Sequence, residues 1–140
     1  MKTAFLDSSV LFSAVNSPTG GSSKLFTLKK INLITSPTVL TEVERNVRNK
    51  LQSFHLERFF MLVTKLKLIE QVPDLKLIIR AKKVIVEKDA VILQEAKQAK
   101  TNYLITLDQK HFLNQKVKGF LKPQKVLTPK ILIQTLEKSS

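Results

Sequence analysis

The chain has 140 residues, with 24 Lys and Arg against 11 Asp and Glu, for a formal net charge of +13. With no cysteine it has no disulfide framework, thiol nucleophile or cysteine-ligated zinc, and no stretch approaches the ~20 apolar residues of a membrane span. A 43% hydrophobic share places it among folding chains, its length suits one domain over 1–140, and its basic excess favours a polyanionic partner such as nucleic acid.

Short apolar runs alternate with helical patterns, which is the sequence form of βαβ construction and of an α/β fold with a mostly parallel sheet. Residues 3–6 read as strand one, and Ser9 to Val15 as a short helix. Residues 16–23 are loop by composition, and Ser22 or Ser23 can cap a helix reaching about Lys29. Ile31 to Thr35 reads as strand two. Ser36-Pro37 places a cap residue before a Pro at the first helical position, starting a helix to about Leu51. Residues 54–70 carry a helical pattern through Phe59, Leu62, Val63, Leu66 and Ile69, ending before Val72-Pro73. Leu75 to Ile85 and Asp89 to Lys100 read as helices, 103–107 as strand three, Lys125 to Leu127 as an edge strand and Pro129 to Leu136 as a closing helix.

Several chemistries are missing. There is no Gly-x-Gly-x-x-Gly after strand one and no Gly-Lys-Ser/Thr, so neither a dinucleotide fingerprint nor a P-loop is present. Gly20-Gly21-Ser22-Ser23-Lys24 reads as a flexible loop. His55 and His111 have no metal-ligand spacing between them, and no Gly-x-Ser-x-Gly supplies a nucleophile. His111, three residues after Asp108, is either close to the site that acid would help form or, more simply, a loop residue without a role. The three apolar residues before Asp7 are too few for a signal-peptide core, and a cytoplasmic location is expected.

Four acids stand where a carboxylate is awkward for folding: Asp7, Glu42, Asp89 and Asp108. Asp7 follows strand one and is either the N-cap of the next helix or a ligand at the sheet edge; Ser8 or Ser9 would serve equally well as the cap. Asp89 shares a helical face with Ile92, Leu93, Ala96 and Ala99, where an acid costs desolvation unless it caps, pairs or binds a cation. Asp108 ends strand three as Asp7 ends strand one, and is either a turn residue or the second acid at one sheet edge. Glu42 lies opposite Leu40 on a helix whose apolar face is taken as Leu40, Val43, Val47 and Leu51, so the pattern alone leaves it in solvent.

The pieces that carry these acids resemble, in order, the motifs of the PIN-domain family. Phe5-Leu6-Asp7-Ser8-Ser9-Val10-Leu11 is similar to its first acidic motif, and Ser36-Pro37 with Val39-Leu40-Thr41-Glu42-Val43 to its second. Asp89-Ala90-Val91-Ile92-Leu93 is similar to the third, and Tyr103-Leu104-Ile105-Thr106-Leu107-Asp108 to the fourth. The chain departs from the pattern at Ser9, where the family often has Asn, and at Lys88, where many relatives carry a second acid. It departs again at Gln109-Lys110-His111, where a further acid is common. These departures bear on a second metal position; four carboxylates remain.

The resemblance implies a three-layer α/β/α domain with a central mostly parallel sheet, and a VapC-like toxin ribonuclease from a toxin–antitoxin pair. It implies Asp7, Glu42, Asp89 and Asp108 as catalytic residues holding Mg²⁺ or Mn²⁺ for hydrolysis of RNA phosphodiesters, with Ser9 and Thr106 in support. Implied partners are RNA, a small antitoxin protein and a second copy of the chain in a homodimer, without a membrane. Two other classes stay open: a catalytically silent RNA-binding or scaffold PIN domain, and a receiver-like signalling domain. Against the latter, there is no adjacent acidic pair after strand one and no convincing Lys on a final strand.

Overall fold

The computed structural model describes residues 1–138. Its centre is a parallel sheet of β1 (Lys2–Leu6), β2 (Ile31–Thr35), β3 (Lys67–Leu68), β4 (Tyr103–Ile105) and β5 (Lys125–Leu127), in the order β3-β2-β1-β4-β5. Every pairing among the described residues is parallel, with Phe5 opposite Ile34 on one side and Leu104 on the other. Phe5, Leu6, Leu104 and Ile105 are fully buried. Burial on both faces is why the central strands read as continuous apolar runs and not as alternating ones.

The connection between β1 and β2 carries α1 (Ser8–Asn16) and α2 (Gly21–Leu25), and that between β2 and β3 carries α3 (Pro37–Lys50) and α4 (Phe54–Val63). The chain then crosses back over β1 through α5 (Leu75–Ala81) and α6 (Glu87–Ala99) to reach β4. Helices α7 (Gln109–Phe112) and α8 (Gln115–Leu121) lead to β5, and α9 (Pro129–Lys138) follows. Helices α1, α3 and α4 pack on one another, while α5 packs on α6. Right-handed crossovers put these two groups on opposite faces, completing three layers. Strand order reverses at β1 and β4, so the carboxyl ends of these neighbours open a crevice between their outgoing connections, the usual ligand position in open α/β sheets.

Several expected boundaries move. The helix expected over 54–70 ends at Val63, where tight turns from Lys65 N–H to Leu62 O and from Leu66 N–H to Val63 O unwind it. The chain then pairs as β3, with Ile69 N–H donating to Thr35 O at 2.9 Å. The helix expected over 75–85 stops at Ala81. Strand three is shorter than expected, so Thr106 and Leu107 lie beyond its last paired residue. Neither Ser22 nor Ser23 caps α2, whose N-cap is Gly20; both serines are buried, and Ser23 Oγ donates to Ala14 O at 3.0 Å. The Ser36-Pro37 start of α3 is as expected, Ser36 Oγ accepting from Val39 N–H at 3.2 Å.

Candidate metal centre

Asp7 leaves β1 and is the N-cap of α1. Its Oδ1 accepts from Val10 N–H at 3.2 Å and from Ser9 Oγ at 2.6 Å, and its Oδ2 accepts from Thr106 Oγ1 at 2.5 Å. Of the three residues that could cap this helix, Asp7 does so, because Ser8 and Ser9 already lie within it. Ser9 instead joins the two strand ends, since its Oγ also accepts Leu107 N–H at 3.0 Å. Only 3% of Asp7 is exposed. Burial pushes its carboxyl up to about 6, against the lowering effect of the Ser9, Thr106 and Val10 hydrogen bonds, with a small further rise from the Asp108 charge.

Asp108 caps α7 in the same manner, its Oδ1 accepting from His111 N–H at 3.2 Å. Its Oδ2 lies 2.8 Å from His111 Nδ1. Desolvation works to raise this carboxyl, but the two hydrogen bonds and the charge of His111 outweigh it and hold it below the usual range.

Asp89 does not cap α6. The N-cap is Val86, and Asp89 sits in the first helical turn with Ile92 beside it. Its Oδ2 is buried and has no hydrogen-bond partner. Desolvation raises its pKa, as do the Asp108 and Glu42 charges, against Lys88 and His111. An orphaned buried carboxylate oxygen between further acids is the arrangement a bound cation would satisfy.

Glu42 is half-buried and faces the same cleft, accepting from Ser8 Oγ at 2.9 Å. The expectation that its helix leaves it in solvent is corrected: the buried row of α3 is Val39, Val43 and Val47, with Leu40 and Leu51 only partly covered. This row lies one step round from the assumed centre and brings Glu42, Asn46 and Lys50, spaced four apart, to the cleft wall. Glu44 lies on the opposite border and pairs with Arg48 at 3.0 Å.

Asp7, Glu42, Asp89 and Asp108 thus line one cleft of about 190 Å³, with Ser8, Ser9 and Lys88 among the other walls. Among the described residues, Asp89, Asp108 and His111 offer ligand atoms within 4.8 Å of one another; Asp7 and Glu42 lie outside this tighter group. Of the two readings of His111, the structure takes the one beside the acids: it reaches the two carboxylates from a neighbouring depression, with Nδ1 4.0 Å from Asp89 Oδ2. The available signal was its spacing: an Asp cap returns the residue three positions on to the capping side chain.

The sequence matches the family described as PIN domain over residues 4–117. In fold it is similar to VapBC2 from Rickettsia felis, solved with a DNA fragment from their promoter, with TM-score 0.64 and 17% identity over 89% of this chain and 96% of that one. A toxin–antitoxin complex from Klebsiella pneumoniae gives TM-score 0.64 and 18% identity over 90% of this chain and 97% of that one. VapC20 from Mycobacterium tuberculosis, a sarcin-ricin loop cleaving toxin, gives 0.57 and 16% over 76% of this chain and 91% of that one. No curated protein matches it in sequence. With the family match spanning most of the chain and the four acidic motifs converging on one cleft, the chain belongs to the PIN-domain family.

Proposed function

We propose that this protein is a Mg²⁺- or Mn²⁺-dependent endoribonuclease, the toxin of a toxin–antitoxin pair, with Asp7, Glu42, Asp89 and Asp108 as its catalytic, metal-holding carboxylates. The observation that carries the reading is the unpartnered, buried Asp89 Oδ2 in a cleft that three other acids line. Hard carboxylate oxygens are the donors such ions take, and a cation relieves the repulsion and burial that raise Asp7 and Asp89. A bound divalent cation supplies Lewis acidity at the scissile phosphate and positive charge against the negative charge that develops there.

The chain's own groups do the rest. Ser9 and Thr106 fix the Asp7 carboxylate, Ser8 fixes Glu42, and the His111 N–H fixes Asp108. Lys50 and Lys88 on the cleft wall, and Arg45 in the adjoining depression, are placed to hold RNA phosphates on either side of the scissile bond. The likeness to toxin and toxin–antitoxin structures supports an RNA substrate and a small antitoxin partner, and a homodimer and a cytoplasmic setting belong to the same reading. Among the described residues no helix is long and apolar enough to cross a membrane.

The test is incubation of the purified protein with mixed single-stranded RNAs, with Mn²⁺ or with EDTA. Cleavage is expected only with Mn²⁺, is lost in Asp89→Asn and Glu42→Gln, and persists in Glu44→Gln. RNA binding with no cleavage under any ion would replace this reading with a catalytically silent RNA-binding domain.

A further inference from the structure

We propose that His111 is a nitrogen ligand to the divalent ion of this cleft, and that it tilts the centre toward first-row transition ions such as Mn²⁺ and Co²⁺ over Mg²⁺. The proposal rests on the reading of the cleft as a metal centre. It goes beyond that reading because the four motif acids supply oxygen alone, and oxygen-only sites are suited to Mg²⁺.

The geometry is that of donors sharing one ion. His111 Nδ1 is 2.8 Å from Asp108 Oδ2 and 4.0 Å from Asp89 Oδ2. Two donors each about 2.1 Å from one ion stand about 3 Å apart when adjacent and about 4.2 Å apart when opposite. Both distances fall near that range, and Asp89 Oδ2 is the buried oxygen that has no other partner. His111 is held there by the backbone, since its own N–H is bonded to Asp108 Oδ1 in the first turn of α7. The Nδ1 atom has two uses. With the proton on Nδ1 it donates to Asp108; with the proton on Nε2 it presents a lone pair to the space between the two carboxylates. An imidazole nitrogen adds affinity for first-row ions in rising order, least for Mn²⁺ and more for Co²⁺, whereas Mg²⁺ takes oxygen donors and keeps its waters.

A positioning role is the competing explanation, and it predicts a different pattern. A residue that only orients Asp108 lowers the affinity for every ion alike when it is lost. Titration calorimetry with Mg²⁺, Mn²⁺ and Co²⁺ on the whole chain, together with the visible absorption of the Co²⁺ form, separates the two. His111→Gln keeps an N–H for Asp108 and removes the imidazole; His111→Asp supplies an oxygen donor in its place. Both are expected to weaken Co²⁺ by about tenfold or more relative to Mg²⁺, with a smaller relative loss for Mn²⁺, and to change the Co²⁺ spectrum. Equal losses for all three ions, or an unchanged ratio and spectrum in folded variants, would overturn the proposal while leaving the metal centre standing. If wild type and Asp89→Asn bind every ion alike, the metal reading of the cleft itself fails, and the role of His111 with it.

Discussion

Thr106 donates its hydroxyl to Asp7 Oδ2 at 2.5 Å, across the junction of β4 and β1, and the same hydroxyl oxygen accepts the Asp108 N–H at 3.0 Å. One fully buried side chain thereby sets the position of two acids, Asp108 beside it and Asp7, which is 99 residues from Thr106 in sequence.

Thr106→Val keeps the shape and removes both bonds. It leaves a buried carboxylate oxygen short of a donor, so a loss of about 1–3 kcal/mol in unfolding free energy is expected. Thr106→Ser, which keeps the hydroxyl, should recover most of it. Urea denaturation of the three proteins near neutral pH measures this directly; a valine variant as stable as the wild type would show that the bond is not structural.

Asp7 makes stability fall as pH rises. Its folded-state value of about 6 lies above its ordinary 3.8, so between these values the folded chain holds more protons than the unfolded one. Stability therefore declines from about pH 4 to about pH 6 and stays lower above, by on the order of 3 kcal/mol for this group. Asp89 shifts in the same direction and Asp108 in the opposite one. Asparagine caps a helix as well as aspartate does and carries no charge to desolvate. In EDTA, Asp7→Asn should be more stable than wild type at pH 7.5 and close to it at pH 4, with most of the slope gone. Thermal melts across this range decide it, and a variant less stable than wild type at pH 7.5 counts against a buried, destabilising carboxylate.

The parts of this site that were legible in the sequence are those with a local signature. Apolar runs ending in Asp7 and Asp108 pointed to one edge of a parallel sheet, and Asp89 stood out against a buried helical stripe. Glu42 was hidden because Leu40 and Leu51 widened the apolar arc of α3 and displaced its apparent centre from the Val39, Val43, Val47 row. Tertiary packing against α1 and α4, not periodicity, chooses which border of that arc is covered. Strand β3 was read as helix because two exposed residues have no period to detect; its pairing with β2 exists only in the fold. The contact of His111 with both acids is hard to read for a different reason. Its partner Asp108 is close in sequence, but Asp89 is brought beside it only when β4 docks next to β1 and α6 lies over the crevice.

The basic residues beside the acids give the last prediction. Lys50 and Lys88 share the cleft wall with the four carboxylates, and Arg45 and Lys88 share the adjoining depression. None of the three forms a salt bridge with a carboxylate among the described residues, so their charge is available to an incoming polyanion. Each phosphate they neutralise releases counterions, contributing about 0.7 to the log–log salt slope for a single strand. Fluorescence anisotropy of a labelled single-stranded RNA, titrated over a KCl series in EDTA, should show a slope about 1.4 shallower in the Arg45→Ala, Lys88→Ala double variant. Removing Lys29 and Lys30, on the loop that enters β2 at the amino-terminal edge of the sheet, should leave the slope nearly unchanged. A strand bound through the general surface charge would make the two pairs equivalent. A strand led into the cleft depends on Arg45 and Lys88, because with Lys50 they stand beside the acids at which its phosphate is held.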